Sequence, residues 1–176
     1  MSEYINPVTI HPITMEAAVE VASNLREDDY RECVEGHGVF PLHYIPLSAF
    51  KGDTVYFKMP NGKTAGLAGI NKGGQIWMLC TPVIHEYTFS FAREAKKFIE
   101  SREEKLLWNI VDKRNTAHLK LLKFLGFKFL RELEHGPNKL TFIEFCRVRT
   151  ISSTCSDVCN ASRRRSSQAA GKGESG

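Results

Sequence analysis

Apolar and polar positions follow two different periods along this chain, and the change between them falls at about residue 50. Val8 to His11 reads as a short strand. Thr14 is placed to cap a helix running through Asn24, with Ala17, Ala18, Val19, Val21 and Ala22 supplying a mostly apolar face. Arg26 to Glu35 predicts a second, charged helix stopped by Gly36 and Gly38. The residues that follow, including Pro41 and Pro46, read as an irregular or partly helical connection.

Beyond this point the alternation shortens to two. Asp53–Met59 and Thr64–Ile70 predict two strands joined by Pro60-Asn61-Gly62-Lys63, a hairpin signal because Asn-Gly tolerates positive φ. Gly73-Gly74 makes the next turn, and Gln75 to Thr81 reads as a central buried strand that Pro82 ends. Phe91, Ala95, Phe98 and Ile99 then recur at helical spacing, predicting a helix over 88–102. Leu106–Val111 is another strand. His118, Leu121, Leu122 and Leu125 mark one face of a helix that Gly126 terminates, and Phe127–Leu133 with Leu140–Val148 form a last hairpin.

Composition narrows the class. At 176 residues, 42% of them hydrophobic and 25% charged, the chain suits one soluble globular unit with a real core. No stretch approaches the roughly 20 apolar residues of a membrane span, and Met1–Pro7 lacks a secretory pattern. A cytosolic product is expected. The net charge of +4 is uneven: residues 149–176 carry five basic side chains against Asp157 and Glu174, which leaves the rest close to neutral. The body therefore has no global basic signature for nucleic acid. Of the five cysteines, Cys155 and Cys159 form a C-x3-C pair with no second pair or His cluster beside it, so no metal is expected. Large apolar residues almost vanish after 148, which predicts a disordered Ser/Arg/Gly-rich tail over 149–176, an ordered domain over 8–148 and a short arm over 1–7.

The order β-α-α-β-β-β-α-β-α-β-β, with Asn115 after an apolar strand and Gly126-Phe127 opening the next, resembles the GNAT fold of acetyl-CoA-dependent N-acyltransferases. That resemblance implies an α/β (α+β layered) domain built on a central, twisted, mixed but mostly antiparallel sheet of about seven strands flanked by helices. Within it, Trp77-x-x-x-Thr81, Ala95-Lys96, Leu107-Trp108-Asn109-x-Val111, Asn115-Thr-x-His118, Leu122-Lys123 and Leu125-Gly126 resemble the internal virion protein A family of T7-like podoviruses. This narrower likeness implies a phage-encoded protein of virion assembly, working in the host cytoplasm or carried in the virion, with other virion proteins as partners.

The same resemblance brings in acetyl-CoA as candidate cofactor and marks Leu79, Cys80, Thr81, Arg93, Asn115 and His118 as positions matched to its binding. His85 and Glu86, just past the central strand, are the candidate general bases for an acceptor amine. GNAT enzymes hold the coenzyme pyrophosphate on a glycine-rich turn after that strand, because backbone N–H groups at a helix N-terminus must approach phosphate closely. Here the turn is Thr81-Pro-Val-Ile-His-Glu-Tyr-Thr; no glycine occurs between Gly74 and Gly126, and Pro82 lacks a donor. The position where many such enzymes carry a tyrosine acid is Leu122.

Each position also has a plain structural reading. Asn115 serves equally as a helix cap, His118 as a hydrogen-bonded, partly buried histidine, His85 and Glu86 as loop polarity, and Trp77 and Trp108 as core anchors. Lys96, Lys97, Arg102 and Lys105 fit a solvated face. Three functions follow in order: a virion-associated scaffold that keeps the fold without the catalysis, an active N-acyltransferase acting on a host or phage amine, and a nucleic-acid-packaging accessory working through Arg163–Arg165 of the tail.

Overall fold

The computed structural model describes residues 8–149. The arm 1–7 and the tail beyond Arg149, including Cys155, Cys159 and Arg163–Arg165, lie outside the described residues.

Seven strands form one sheet. In chain order they are β1 (Thr9–Pro12), β2 (Asp53–Lys58), β3 (Thr64–Asn71), β4 (Gln75–Cys80), β5 (Leu106–Asp112), β6 (Lys128–His135) and β7 (Leu140–Val148). Across the sheet they run β1-β2-β3-β4-β5-β7-β6. Every neighbouring pair is antiparallel except β4 and β5, which are parallel and in register only where Gln75 faces Trp108. The mixed, mostly antiparallel sheet expected from the sequence is the one observed.

Helices cover both faces. α1 (Met15–Ser23) starts where Thr14 Oγ1 accepts from the Ala17 N–H, as its sequence dictates. With α3 (Pro41–Ser48) it buries Ala18, Val21, Ala22, Ile45 and Ala49 against Leu67. α4 (Thr88–Glu100) and α5 (Thr116–Phe124) cover the opposite face, where Phe91, Ala95, Phe98, Ile99 and Leu122 join Phe57, Ile76, Leu107 and Phe145. Both tight turns read from the sequence use glycine as expected: Gly62 has φ +80° and Gly126 φ +84°.

Residues 41–48 form the helical part of the connection expected there, with Pro41 in the first turn, where proline is tolerated, and Pro46 inside the helix without an N–H to donate. Several expectations need correction. α2 (Glu27–Arg31) passes into a π-helical turn (Glu32–His37), and it is Gly38, at φ +69°, that ends it. Gly36 is instead an internal packing position, since a Cβ there would meet the Phe142 ring at 2.6 Å. Val19 faces outward, and the fourth helix stops at Glu100 rather than Arg102. β4 is central in position, yet Trp77, Met78 and Leu79 are only half-buried, because β5 diverges beside them. Trp108 is exposed and donates from Nε1 to the Gly73 carbonyl at 3.0 Å, so it closes the Gly73-Gly74 turn rather than anchoring the core.

Candidate functional site

The divergence of β4 from β5 creates the site. The Trp108 N–H donates to the Gly74 carbonyl at 3.0 Å, and one residue on, the Asn109 side chain reaches across to the Ile76 carbonyl at 2.7 Å. After that the strands part. On its other edge β4 stays tied to β3: the Thr81 N–H donates to the Ala65 carbonyl at 2.8 Å, and its hydroxyl donates to the Thr64 carbonyl at 2.9 Å.

A freed strand edge exposes backbone donors and acceptors that must find partners. At Cys80, α2 and its cap supply them. The Arg26 N–H donates to the Cys80 carbonyl at 2.8 Å, and the Cys80 N–H donates to Asp29 Oδ2 at 2.8 Å. Asp29 Oδ1 accepts from the Arg26 guanidinium at 2.7 Å and from Asn115 Nδ2 at 2.9 Å. Asn115 Nδ2 also donates to Glu32 Oε2 at 3.0 Å, while its Oδ1 accepts from Arg26 at 3.0 Å and from the His118 N–H at 3.3 Å. One asparagine thus caps α5 and joins it to α2, and through Asp29 to the end of β4.

Arg26, Asp29, Glu32 and Asn115 are all buried, Asn115 almost completely. Burial acts against the charge on Arg26, but the adjacent Asp29, by its charge and hydrogen bond, outweighs this and raises the Arg26 pKa above its ordinary value. The network is held as an ion pair with its hydrogen bonds filled, the condition under which buried charge is tolerated.

Asp112 and Arg114 set the approach to Asn115. Both carboxylate oxygens of Asp112 accept from Arg114, which also reaches Glu35 on the π turn at 2.8 Å. Although burial opposes ionisation of Asp112, the hydrogen bonds and charge of Arg114 hold its pKa below the usual range.

Between the parted strands a cavity of about 410 Å³ remains, bordered by Ile76, Met78 and Leu79 on β4 and by Glu32, Asn109 and His118 opposite. Asp29, Glu32 and His118 bring metal-capable atoms within 4.8 Å of one another, the one such trio among the described residues. Arg26, Asn115 and the Cys80 N–H already occupy Asp29, and the guanidinium supplies the positive charge a cation would bring. Two thiols are near. Burial, with Glu32 and Asp29 adding to it, pushes the Cys33 thiol up to about 12, and burial with Asp29 pushes Cys80 up as well. Neither is a thiolate nucleophile at neutral pH.

The residues singled out from sequence divide into groups. Leu79 and His118 border the cavity; Cys80, Thr81 and Asn115 are buried and do not border it. His85 and Glu86 stand exposed on a 3₁₀ turn (Pro82–His85) and its cap, with Glu86 accepting from Asn61 at 3.4 Å, and neither borders the cavity. Arg93 is exposed on α4. In the turn itself, the N–H groups of Ile84, Glu86 and Tyr87 donate to the carbonyls of Thr81, Val83 and Ile84. Those three donors are spent within the turn. Arg26, Asp29 and Glu32 were not singled out from sequence. The signal was present in a helix with three acids in its first turn and an arginine at its cap, but surface helices share that pattern.

Residues 52–134 match the family model described as bacteriophage T7, probable scaffold protein Gp13. Over this segment, a little under half of its length, the chain is similar to that family. The match begins just before β2 and ends within β6, so it contains β4, the turn after it and the Asn115–His118 cap. No curated protein sequence matches the chain. In three dimensions it is similar to a GNAT-family acetyltransferase from Bacillus anthracis, at 12% identity and TM-score 0.59, covering 82% of this chain and 96% of that one. The ribosomal-protein-S18-alanine N-acetyltransferase of Escherichia coli gives 14% identity, TM-score 0.58, and coverage of 84% and 97%. A chimera of spermidine N-acetyltransferase SpeG from Vibrio cholerae and hSSAT gives 10%, 0.57, 81% and 96%. At such identities the likeness is one of fold, and the fold is GNAT-like.

A pH-dependent joint borders the site. His37 Nδ1 and His135 Nε2 are 2.9 Å apart, and Asn138 Nδ2 donates to the Glu35 carbonyl at 2.9 Å, which docks the π turn on the β6–β7 hairpin. Burial, followed by the neighbouring His37, lowers the His135 pKa, with Glu32 opposing. The unfolded chain therefore takes up this proton first, so His135 lowers stability as pH falls through about 6.5 and has no effect where both states are neutral. Asp112 and Glu104, whose pKa values are depressed, stabilise the fold above the carboxylate range and lose that contribution only below about pH 4. His135→Gln is expected to flatten the melting temperature between about pH 7 and 5 while leaving the acid limb unchanged. An unaltered slope would remove His135 from the account.

Proposed function

We propose that this chain is a phage assembly protein that keeps the GNAT-like fold as an interaction scaffold and no longer uses it for acyl transfer. It acts on other phage proteins in the host cytoplasm during assembly and travels with them into the virion. The observation that carries this reading is the Asp29 carboxylate on the Cys80 N–H. A coenzyme laid along the splayed edge of β4 needs those backbone groups, and here α2 holds both of them. The phosphate-facing turn argues the same way, with no glycine and with three N–H groups committed internally. His85 and Glu86 are then loop polarity.

The cavity of about 410 Å³ supports a second reading, an acetyl-CoA-dependent N-acyltransferase with an altered cradle, in which Leu79 and His118 face the thioester end. Isothermal titration of the full chain with acetyl-CoA and with CoA separates the two. The scaffold reading expects no heat of binding at millimolar ligand. Micromolar affinity with turnover of an acceptor amine would replace it with the enzyme.

A further inference from the structure

A second concavity lies away from the parted strands. α5 begins at the site, capped by Asn115, and ends at Phe124 on the wall of a groove of about 510 Å³. Lys96 and Glu100 from the last turns of α4, Lys128 from the start of β6, and Arg147 and Val148 from the end of β7 complete it. Three cations thus face one carboxylate, and Glu100 stands 4.0 Å from Lys96 with both side chains about half exposed. Among the described residues neither Lys128 nor Arg147 has an ion-pair or hydrogen-bonding side-chain partner, whereas Lys97 pairs with Glu94, and Arg102 with Asp53 and Glu104.

Carbonyl dipoles at a helix C-terminus attract cations, which accounts for Lys96. Lys128 and Arg147 come from strands. Arg147 is half-buried and lies over Gly126, where a Cβ would fall 3.6 Å from its Nε. A partly desolvated guanidinium with unfilled donors is suited to an oxyanion. The groove is also apolar: Phe124 is 52% and Val148 66% exposed, and Lys96 Nζ stands 5.4 Å from the centre of the Phe124 ring. Ring and charges therefore act on one ligand with a flat apolar part and an anionic part.

We propose that this groove binds a segment of single-stranded nucleic acid, with Lys128 and Arg147 on phosphates and an unpaired base on Phe124. The cations neutralise phosphate and release its counterions. An aromatic ring stacks on any base whose face is free, which a duplex does not offer. An acidic peptide would use the cations and leave the ring without a partner. The chain's own tail does not suit the groove, because residues 149–176 carry five basic side chains against two acidic ones and like charges repel. Since the groove is apart from the cleft, the inference does not depend on whether the edge of β4 is closed.

Fluorescence anisotropy of a labelled thymidylate oligomer of about eight nucleotides, titrated with the full chain at several salt concentrations, tests it. Saturable binding is expected, with a Kd on the order of 10 µM at about 50 mM salt and weaker as salt rises. Arg147→Gln and Lys128→Gln are each expected to reduce the slope of log affinity against log salt by about 0.7. Phe124→Ala is expected to weaken binding about tenfold and leave that slope unchanged. Lys128 and Phe124 are exposed, so their variants are expected to keep the wild-type melting temperature. Binding that survives all three substitutions overturns the proposal, because the nucleic acid would then lie elsewhere on the chain. An absence of saturable binding overturns it too. So does equal affinity for a duplex of the same length, or for a polyglutamate of the same charge, which would make the partner an acidic protein segment.

Discussion

Asp29→Ala is expected to cost about 3–5 kcal/mol of folding stability, the range for removing one partner of a buried ion pair. The loss has three sources. Arg26 is left buried with only the more distant Asp28 carboxylate, at 3.8 Å, against its charge, the Cys80 N–H loses its acceptor, and Asn115 Nδ2 keeps only Glu32. Urea unfolding followed by circular dichroism is expected to show a lower midpoint with an unchanged slope. Asp28→Ala provides the comparison. Asp28 pairs with Arg31 at 2.8 Å and stands 3.8 Å from Arg26, but its side chain and that of Arg31 are one-third exposed, and surface pairs contribute about 0–1 kcal/mol. Similar losses at the two positions would mean that Asp29 does not hold the end of β4.

The second large effect is predicted at the junction where β4 and β5 begin to part. Gly73 and Gly74 share a left-handed backbone, with φ of +87° and +81°, yet their surroundings differ. A Cβ at Gly73 would meet nothing within 4 Å, whereas at Gly74 it would fall 2.0 Å from the Leu106 carbonyl oxygen. Gly73→Ala carries only the conformational cost of positive φ, about 1–2 kcal/mol. Gly74→Ala adds an overlap with backbone that no side-chain rotation relieves, and it is expected to exceed Gly73→Ala by at least about 2 kcal/mol. The difference between the two midpoints isolates the close approach, because the shared φ cancels. Equal losses would show that β5 does not lie against this turn.

Much of the fold was legible because period and turn chemistry agree with tertiary packing. Phe91, Ala95, Phe98 and Ile99 announce α4 by spacing and are the buried residues of that helix. Asn61-Gly62 and Gly126 announce turns that only a permissive backbone makes. Asn115 was legible as a cap, and it is one. Its second role was not, since its partners Arg26, Asp29 and Glu32 lie more than eighty positions away. Local pattern holds no information on such pairings. Trp108 misled for a related reason: its size suggested core, but β5 leaves β4 at that residue and exposes the ring at the turn. The hold of Asp29 on the Cys80 N–H is likewise a tertiary fact, with 51 positions between the two residues.

One resonance reports on the central claim. In an amide correlation spectrum of the full chain, the Cys80 N–H is expected to exchange slowly and to stay unshifted as acetyl-CoA is added to millimolar concentration, because Asp29 already holds it. Fast exchange in the free protein would mean that Asp29 does not hold this amide, and a saturable shift with coenzyme would mean that the edge of β4 is open to it.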